Sequence, residues 1–168
     1  INIINKSINM NNINLDNNNI NNTRELEYIS LNSIKNKAKK LLKRKSLEYT
    51  ANHTRGRFEH FTVQTQFLDD VIKEHYQPYE AIMFGMAKHA ASLYMMIEEP
   101  QTITKEYLYE KIGDAFNYLI LLTRFQHSQG EDTYNLSIIN NKLEEVANKL
   151  IYIYNQEIEK TKLKDKKI

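Results

Sequence analysis

The sequence predicts an all-α protein, a helical bundle of about five helices. Its 168 residues include only four Gly and two Pro, the residues that interrupt helices most strongly. Successive stretches place apolar residues three and four positions apart, which is the period of a helix with one buried face. A chain of this length has room for one domain with its own core. It contains no run of about 18 apolar residues, so we expect no membrane-spanning helix.

The two ends of the chain differ in composition from its centre. Residues 1–22 contain eleven Asn and six Ile, and we expect a disordered tail because such a segment buries too little apolar surface to offset its ordering entropy. We expect a single all-α domain over residues 23–157 and a charged C-terminal tail over residues 158–168, frayed from Lys160. Because the chain begins with Ile1 rather than Met, we interpret it as a fragment or a processed product.

The composition also excludes several classes of function. The chain has no Cys, which excludes disulfides and thiolate chemistry and favours an intracellular, cytoplasmic setting. Its formal net charge of +2 is too small to indicate a nucleic-acid partner by itself. The five His residues show no zinc-binding spacing, and the sequence has no phosphate-loop or nucleophile motif.

The first helix carries a strongly basic run. Thr23 is its candidate N-cap, with Glu25 and Glu27 near the positive end of the helix dipole. From Lys35 to Lys45 there are seven Lys or Arg and no acid. The run has two interpretations, a strip that attracts phosphate groups or an ordinary solvated helix face. The apolar positions of this helix are Leu31, Ile34, Ala38 and Leu41.

The second and third helices follow a polar loop at residues 50–57. Apolar spacing predicts the second helix from Phe58 to His75. Pro78 suits the first turn of the third helix, which Pro100 ends. Within the third helix, Gly85 would let another helix approach closely.

The fourth helix combines a carboxylate pair with a buried segment. Thr102 or Thr104 caps it, and it ends near Gln126. Glu110 and Asp114 lie four residues apart, which places both carboxylates on one face where they can share a cation. We expect this pair to face Glu59, or failing that Asp69 and Asp70, on the second helix. The following segment, residues 115–122, is apolar except for Asn117, which indicates burial on most sides.

The fifth helix, from about Thr133, has the apolar spacing of a coiled coil. Its seam repeats at intervals of three and four over nearly three heptads. Two partners are open for it: the first helix, or a second copy of the chain in a homo-oligomer through residues 133–157. The seam consists of Leu136, Ile139, Leu143, Val146, Leu150 and Ile153.

Three short motifs in the middle of the chain follow one another in an order that is similar to that of a known family. They are Arg55-Gly56-Arg57-Phe58-Glu59, Lys88-His89-Ala90 and Glu110-x-Ile112-x-Asp114-Ala115-x-Asn117-Tyr118. Over roughly residues 54–124 this order resembles that of the small phage and bacterial relatives of the MazG-like all-α NTP pyrophosphohydrolases. The resemblance implies a MazG-like core with coiled-coil-like helices beside it. It also implies Mg²⁺-dependent hydrolysis of a nucleoside triphosphate to the monophosphate and pyrophosphate.

The resemblance further implies roles for individual residues. Glu59, Glu110 and Asp114 would bind the metal, and Glu59 and Asp114 would also act as catalytic acids that orient water. Lys88 would contact phosphate, and Asn117 would hydrogen-bond the substrate.

The sequence departs from the family pattern at several positions. Arg57 stands where the family has Asp, and Ala91 stands where it has Arg. The two changes are consistent with a swap, in which Arg57 binds substrate in place of the lost Arg, or with decay of the site. His60 and Ile112 replace a Glu and a Trp. We therefore keep two hypotheses: a Mg²⁺-dependent nucleotide pyrophosphohydrolase, and a catalytically degenerate relative that binds nucleotide or serves as a structural or assembly protein, for example of a phage.

Overall fold

A computed structural model describes residues 27–49, 56, 58–72, 75–130 and 135–166. Over these residues the chain forms α-helices and one short 3₁₀ turn, with no strand. The prediction of an all-α bundle of five helices is confirmed. The helices are α1 (Leu31–Tyr49), α2 (Glu59–Ile72), α3 (Pro78–Glu98), α4 (Lys105–Gln129) and α5 (Leu136–Asp165).

Helix α4 lies at the centre of the bundle. It packs against α1, α3 and α5, whereas α2 packs mainly against α3. The centre of the core therefore contains side chains from four helices, and its packing orients the polar residues at the core's edge. Its largest fully buried side chains are Ile34, Ile82, Leu93, Met96, Leu108, Ile112, Leu122 and Leu150.

Helix α1 begins later than the sequence predicts. Thr23 and Glu25 lie outside the described residues, and Glu27 precedes the helix and pairs with Lys105 at 2.8 Å. The cap is Ser30, whose side-chain oxygen accepts a hydrogen bond from the Ser33 backbone N–H at 3.2 Å. A serine hydroxyl satisfies one of the free N–H groups of the first turn, which explains the start of α1 here.

Helix α2 is shorter than the five turns predicted up to His75. The Asp69 carboxylate accepts a hydrogen bond from the backbone N–H of Tyr76 at 2.9 Å. It also lies 3.4 Å from the His75 imidazole. Both contacts join Asp69, in the last turn of α2, to the non-helical residues 75–76 that precede α3.

Helix α4 starts at one of its predicted capping residues and ends later than predicted. The Thr104 side chain accepts a hydrogen bond from the Tyr107 backbone N–H, so Thr104 rather than Thr102 is the N-cap. At the other end Gly130 has φ of 69°, a left-handed conformation that glycine adopts without steric cost. The helix therefore continues through Gln129, one turn beyond the expected end.

Helix α5 also continues beyond its predicted end, through Asp165 instead of fraying from Lys160. Contacts along its second half explain the extension. Ile158 is buried, and the Asn155 amide makes two hydrogen bonds of 3.0 Å with the backbone of Ile29. The segment before α1 thus packs on the second half of α5.

The seam of α5 faces the interior of the same chain. Leu143, Val146 and Leu150 are buried, and α5 contacts α4 and α3, with a smaller contact to α1. The central seam residues are therefore core residues of the monomer, and their burial explains the apolar repeat without a second copy.

Two glycines allow close approach between helices. A Cβ atom built on Gly85 of α3 would lie 2.3 Å from Cε1 of Tyr118 on α4, so only glycine leaves room for this ring. A Cβ on Gly113 of α4 would lie 3.2 Å from the Cβ of Ala38 on α1. The close approach predicted at Gly85 is therefore present, and the group that approaches is the tyrosine ring.

Several sequence predictions fall outside the described part of the chain. They are the Asn-rich tail at residues 1–22, most of the loop at residues 50–57, and Arg57. Within the described residues, no helix combines the length and the apolar composition that crossing a bilayer requires.

Candidate functional site

Two adjoining clefts beside α4 bring together most of the polar residues of interest. The outer cleft, between α1 and α4, is lined by Lys37, Lys45, Glu110, Asp114 and Asn117 among others. The inner cleft, at the edge of α2 and α3, shares Lys45, Asp114 and Asn117 with it. We name the two together the acid–lysine groove. The inner cleft is further lined by His60, Gln64, His89 and Tyr118.

The two lysines of the groove come from the basic run of α1. The Lys37 ammonium lies 4.7 Å from the centre of the Tyr109 ring on α4, a cation–π contact that holds it beside the groove. Lys45 is partly buried and lines both clefts. Part of the predicted basic strip therefore faces the carboxylates of α4, and this part is more than a solvated helix face.

Glu110 lies at the exposed edge of the groove. Its carboxylate is 2.7 Å from the Lys111 ammonium. The hydrogen bond from Lys111 lowers the pKa of Glu110, and the positive charge of Lys45 adds a smaller effect in the same direction. The carboxylate is consequently ionised at neutral pH, and Lys111 is a competitor for any cation that binds there.

Asp114 is more enclosed than Glu110 and faces a histidine. Its Oδ2 lies 3.8 Å from Nδ1 of His89, and the two side chains are 22% and 11% exposed. Burial lowers the pKa of His89, and the negative charge of Asp114 opposes this shift only in part. The imidazole is therefore neutral at neutral pH, and its Nδ1 has no partner within hydrogen-bond distance in the described structure.

The Tyr118 ring fixes the other side of His89. The two rings stack with centroids 5.6 Å apart and planes 28° apart. Because Gly85 leaves space for Tyr118, the position of the imidazole depends on a close contact between α3 and α4. The stacked rings of His89 and Tyr118 thus form one side of the cleft beside Asp114.

Asn117 is the most buried polar residue of the groove. It is 6% exposed, and its Oδ1 has no hydrogen-bond partner among the described residues. A buried amide oxygen without a partner costs about 1–3 kcal/mol. Such an atom is expected where water or a ligand completes the hydrogen bonding, and Asn117 lines both clefts.

The remaining predicted site residues lie apart from this groove or outside the description. The Glu59 carboxylate accepts a hydrogen bond of 3.2 Å from the backbone N–H of Gly56, at the start of its own helix. Lys88 is exposed on α3 next to His89, and Arg57 lies outside the described residues. Where the chain is described, no three His, Asp or Glu residues form a group that could hold a metal, and Glu59 lines neither cleft. The metal set of Glu59, Glu110 and Asp114 stays a prediction.

Comparisons with known proteins do not decide the family. Neither the family models, nor the curated proteins, nor the solved structures contain a significant match to this chain. The function is therefore inferred from the residues of the groove.

Sequence reasoning missed Lys45 and His89 as groove residues. The acid-free run of α1 was the available signal for Lys45. For His89 the signal was its phase, since Ile82, Met86, His89, Leu93 and Met96 repeat at intervals of four and three. A histidine at a core position of a helix needs a polar partner or a neutral form, and here burial lowers the pKa of His89 and favours the neutral form.

Proposed function

We propose that the acid–lysine groove binds a nucleoside triphosphate together with Mg²⁺, as in a nucleotide pyrophosphohydrolase-like protein. One observation supports this above the others: lysines of α1 and carboxylates of α4 line the same groove as Asn117, whose buried amide oxygen has no partner among the described residues. A ligand that combines phosphate oxygens with a divalent cation complements both signs of charge. Lys37 and Lys45 would bind the phosphates, and Asp114 and Glu110 the cation.

The residues of the groove fit Mg²⁺ when a phosphate ligand is bound with it. Mg²⁺ in such sites is held by one or two carboxylates, with water and phosphate oxygens completing the coordination. Asp114 and Glu110 supply two carboxylates, provided that Glu110 gives up its ion pair with Lys111. When bound, the metal would neutralise phosphate charge and activate water.

The chain's own residues would order the ligand around this pair. The neutral His89 imidazole, which stacks on the Tyr118 ring, would limit the orientations open to Asp114 beside it. Asn117 would hydrogen-bond the ligand and so complete its own bonding. Lys88 extends the proposal as a further phosphate contact, as the motif resemblance implies. Under the swap hypothesis, Arg57 would be another, in place of the Arg that the family has at the position of Ala91.

Hydrolysis to monophosphate and pyrophosphate is the reaction that the resemblance favours, with Glu59 and Asp114 as catalytic acids. The hydrogen bond between Glu59 and Gly56 favours a second candidate, a nucleotide-binding relative without catalysis or a structural protein. Glu59 is engaged at its own helix end, and the described residues contain no group of three potential metal ligands.

The proposed binding of nucleotide places the protein in the cytoplasm, where nucleoside triphosphates and Mg²⁺ occur together.

Calorimetry with Mg²⁺ and a non-hydrolysable triphosphate tests binding, and pyrophosphate release from a panel of triphosphates tests hydrolysis. We expect Asp114→Asn and Lys45→Gln each to weaken binding by tenfold or more, since each removes a charge that meets an opposite charge on the ligand. Lys149→Gln is the control, because Lys149 is an exposed lysine on α5. A flat wild-type titration would contradict the proposal. Binding without pyrophosphate release would support the second candidate.

A further inference from the structure

Helix α3 presents an apolar outer face to solvent. From Phe84 to Glu98 its exposed residues are Phe84, Ala87, Lys88, Ala91, Tyr94, Met95 and Glu98. Phe84, Tyr94 and Met95 are 52–64% exposed, and Ile138 of α5 adds a fourth large apolar side chain at the adjoining groove, 60% exposed. An apolar patch of this size on a helix face is typical of an interaction surface. We call these residues, with Ile138, the α3 face.

We propose that the α3 face binds the same face of a second copy, with the two α3 helices antiparallel. The order of side-chain sizes along α3 supports this occupant. Phe84 and Tyr94 each lie five residues from His89, and Ala87 and Ala91 each lie two residues from it. In a two-fold interface, where residue i contacts j and j contacts i, Phe84 would lie against Tyr94 and Ala87 against Ala91. The two small residues would let the helix backbones approach, and an aromatic pair would close each end.

The helix dipoles favour the antiparallel arrangement of the two α3 helices. Lys88 lies at the edge of the face, and Glu98 lies near the C-terminal end of α3. In the antiparallel pair, Glu98 would lie over the first turn of the second copy's α3, where the helix dipole favours negative charge and the carboxylate of the second copy's Glu80 opposes it. The two helix dipoles would also oppose each other, which is the favourable arrangement.

The apolar area is sufficient for a modest dimer. Each of the four large side chains exposes about 100 Å², taking roughly 200 Å² for a fully exposed one, so the two copies would bury about 800 Å² of apolar surface. Since about 60% of an interface is apolar, the whole contact would bury about 1,300 Å². This lies at the lower end of specific interfaces, so we expect dissociation in the micromolar range.

The α3 face differs from the surface that the sequence indicates for self-association. The α5 seam lies in the monomer core at Leu143, Val146 and Leu150, so a second copy has no access to it. The α3 face is exposed, and Lys88 at its edge is the one residue that it shares with the proposed nucleotide function.

Sedimentation equilibrium of the full chain from about 1 to 200 μM tests the interface. We expect the wild type to dimerise, Ala91→Arg to abolish the dimer, and Tyr94→Ser to weaken it at least tenfold. Tyr152→Ser is the matched control, because Tyr152 is a tyrosine on α5 that is at least as exposed as Tyr94. Circular dichroism confirms that each variant is folded. A monomeric wild type, or a dimer that both α3 variants leave unchanged, would overturn the proposal.

Disulfide trapping tests the antiparallel register. Because the chain has no native Cys, only the introduced cysteines can form a disulfide. Phe84→Cys and Tyr94→Cys proteins, mixed and oxidised above the dissociation constant, should form the mixed disulfide. Phe84→Cys alone should not, because the two Phe84 positions would be about 15 Å apart along the helices. Disulfides within each single variant but not in the mixture would overturn the antiparallel arrangement.

Discussion

The absence of a side chain at Gly85 makes room for the Tyr118 ring, which lines the groove. Gly85 of α3 has Tyr118 packed against it, and Tyr118 in turn stacks on His89 beside Asp114. A change at Gly85 is therefore transmitted to the carboxylate through two aromatic contacts.

We predict that Gly85→Ala destabilises the protein by about 1–3 kcal/mol, because the new methyl group overlaps the Tyr118 ring and forces it to shift. Urea unfolding gives the change in free energy. In a Tyr118→Ala background the same substitution should become stabilising by up to about 1 kcal/mol, since alanine is the better helix former. Equal effects in both backgrounds would contradict this interpretation.

Asn117 permits a test that separates function from stability. Leucine has a similar volume and removes the amide oxygen that has no partner, so we predict that Asn117→Leu stabilises the unliganded protein by about 1–3 kcal/mol. Under the proposed function the same variant should lose affinity for the triphosphate. Thermal unfolding and calorimetry measure the two effects, and a destabilised variant would show that the amide is needed for folding.

At the scale of elements, an ion pair connects the first and last helices. The Lys35 ammonium on α1 lies 2.5 Å from the Glu144 carboxylate on α5. The hydrogen bond from Lys35 lowers the pKa of Glu144. Lys35 also lies over the Phe116 ring of α4 at 4.2 Å, so one side chain joins three helices.

We predict a pH-dependent contribution from this pair. A carboxyl group whose pKa is lowered by folding stabilises the protein above its unfolded pKa, about 4.3, and this stabilisation is lost as the pH falls through the folded pKa. Glu144→Gln should therefore lower the free energy of unfolding at pH 7 by about 0.2–1 kcal/mol, because the pair is partly solvated. It should have little effect at pH 3.

Glu145→Gln is the control, since Glu145 pairs with Lys142 within α5 and is largely exposed. Urea unfolding at pH 7 and pH 3 measures the difference. An effect of Glu144→Gln that is equal at both pH values would contradict the assignment to charge.

The helix boundaries show which structural features local sequence patterns predict correctly. Pro78 and Thr104 begin their helices as predicted, because a cap acts within one turn. The predicted start of α1 was wrong because Ser30, not Thr23, caps the helix. The predicted end of α5 was wrong because Ile158 is buried and Asn155 hydrogen-bonds to Ile29 in the segment before α1, which is distant in sequence.

At the scale of the whole molecule, the composition of residues 1–22 supports one prediction. A segment that is half Asn contributes little apolar surface to a core. We predict that a chain beginning at Thr23 keeps the melting temperature of the full chain, as measured by circular dichroism. A decrease of several degrees would show that these residues pack against the bundle.

The sequence by itself determined that this protein is an all-α bundle and that Glu110 and Asp114 share one helix face. Both are local properties, because the period of a helix and the spacing of two carboxylates are complete within a few turns. The tertiary structure alone decided that Lys45 shares a groove with those acids, that His89 stands beside Asp114, and that the α5 seam is core. These depend on which helix faces pack together, and packing is set by many weak contacts between residues far apart in the chain.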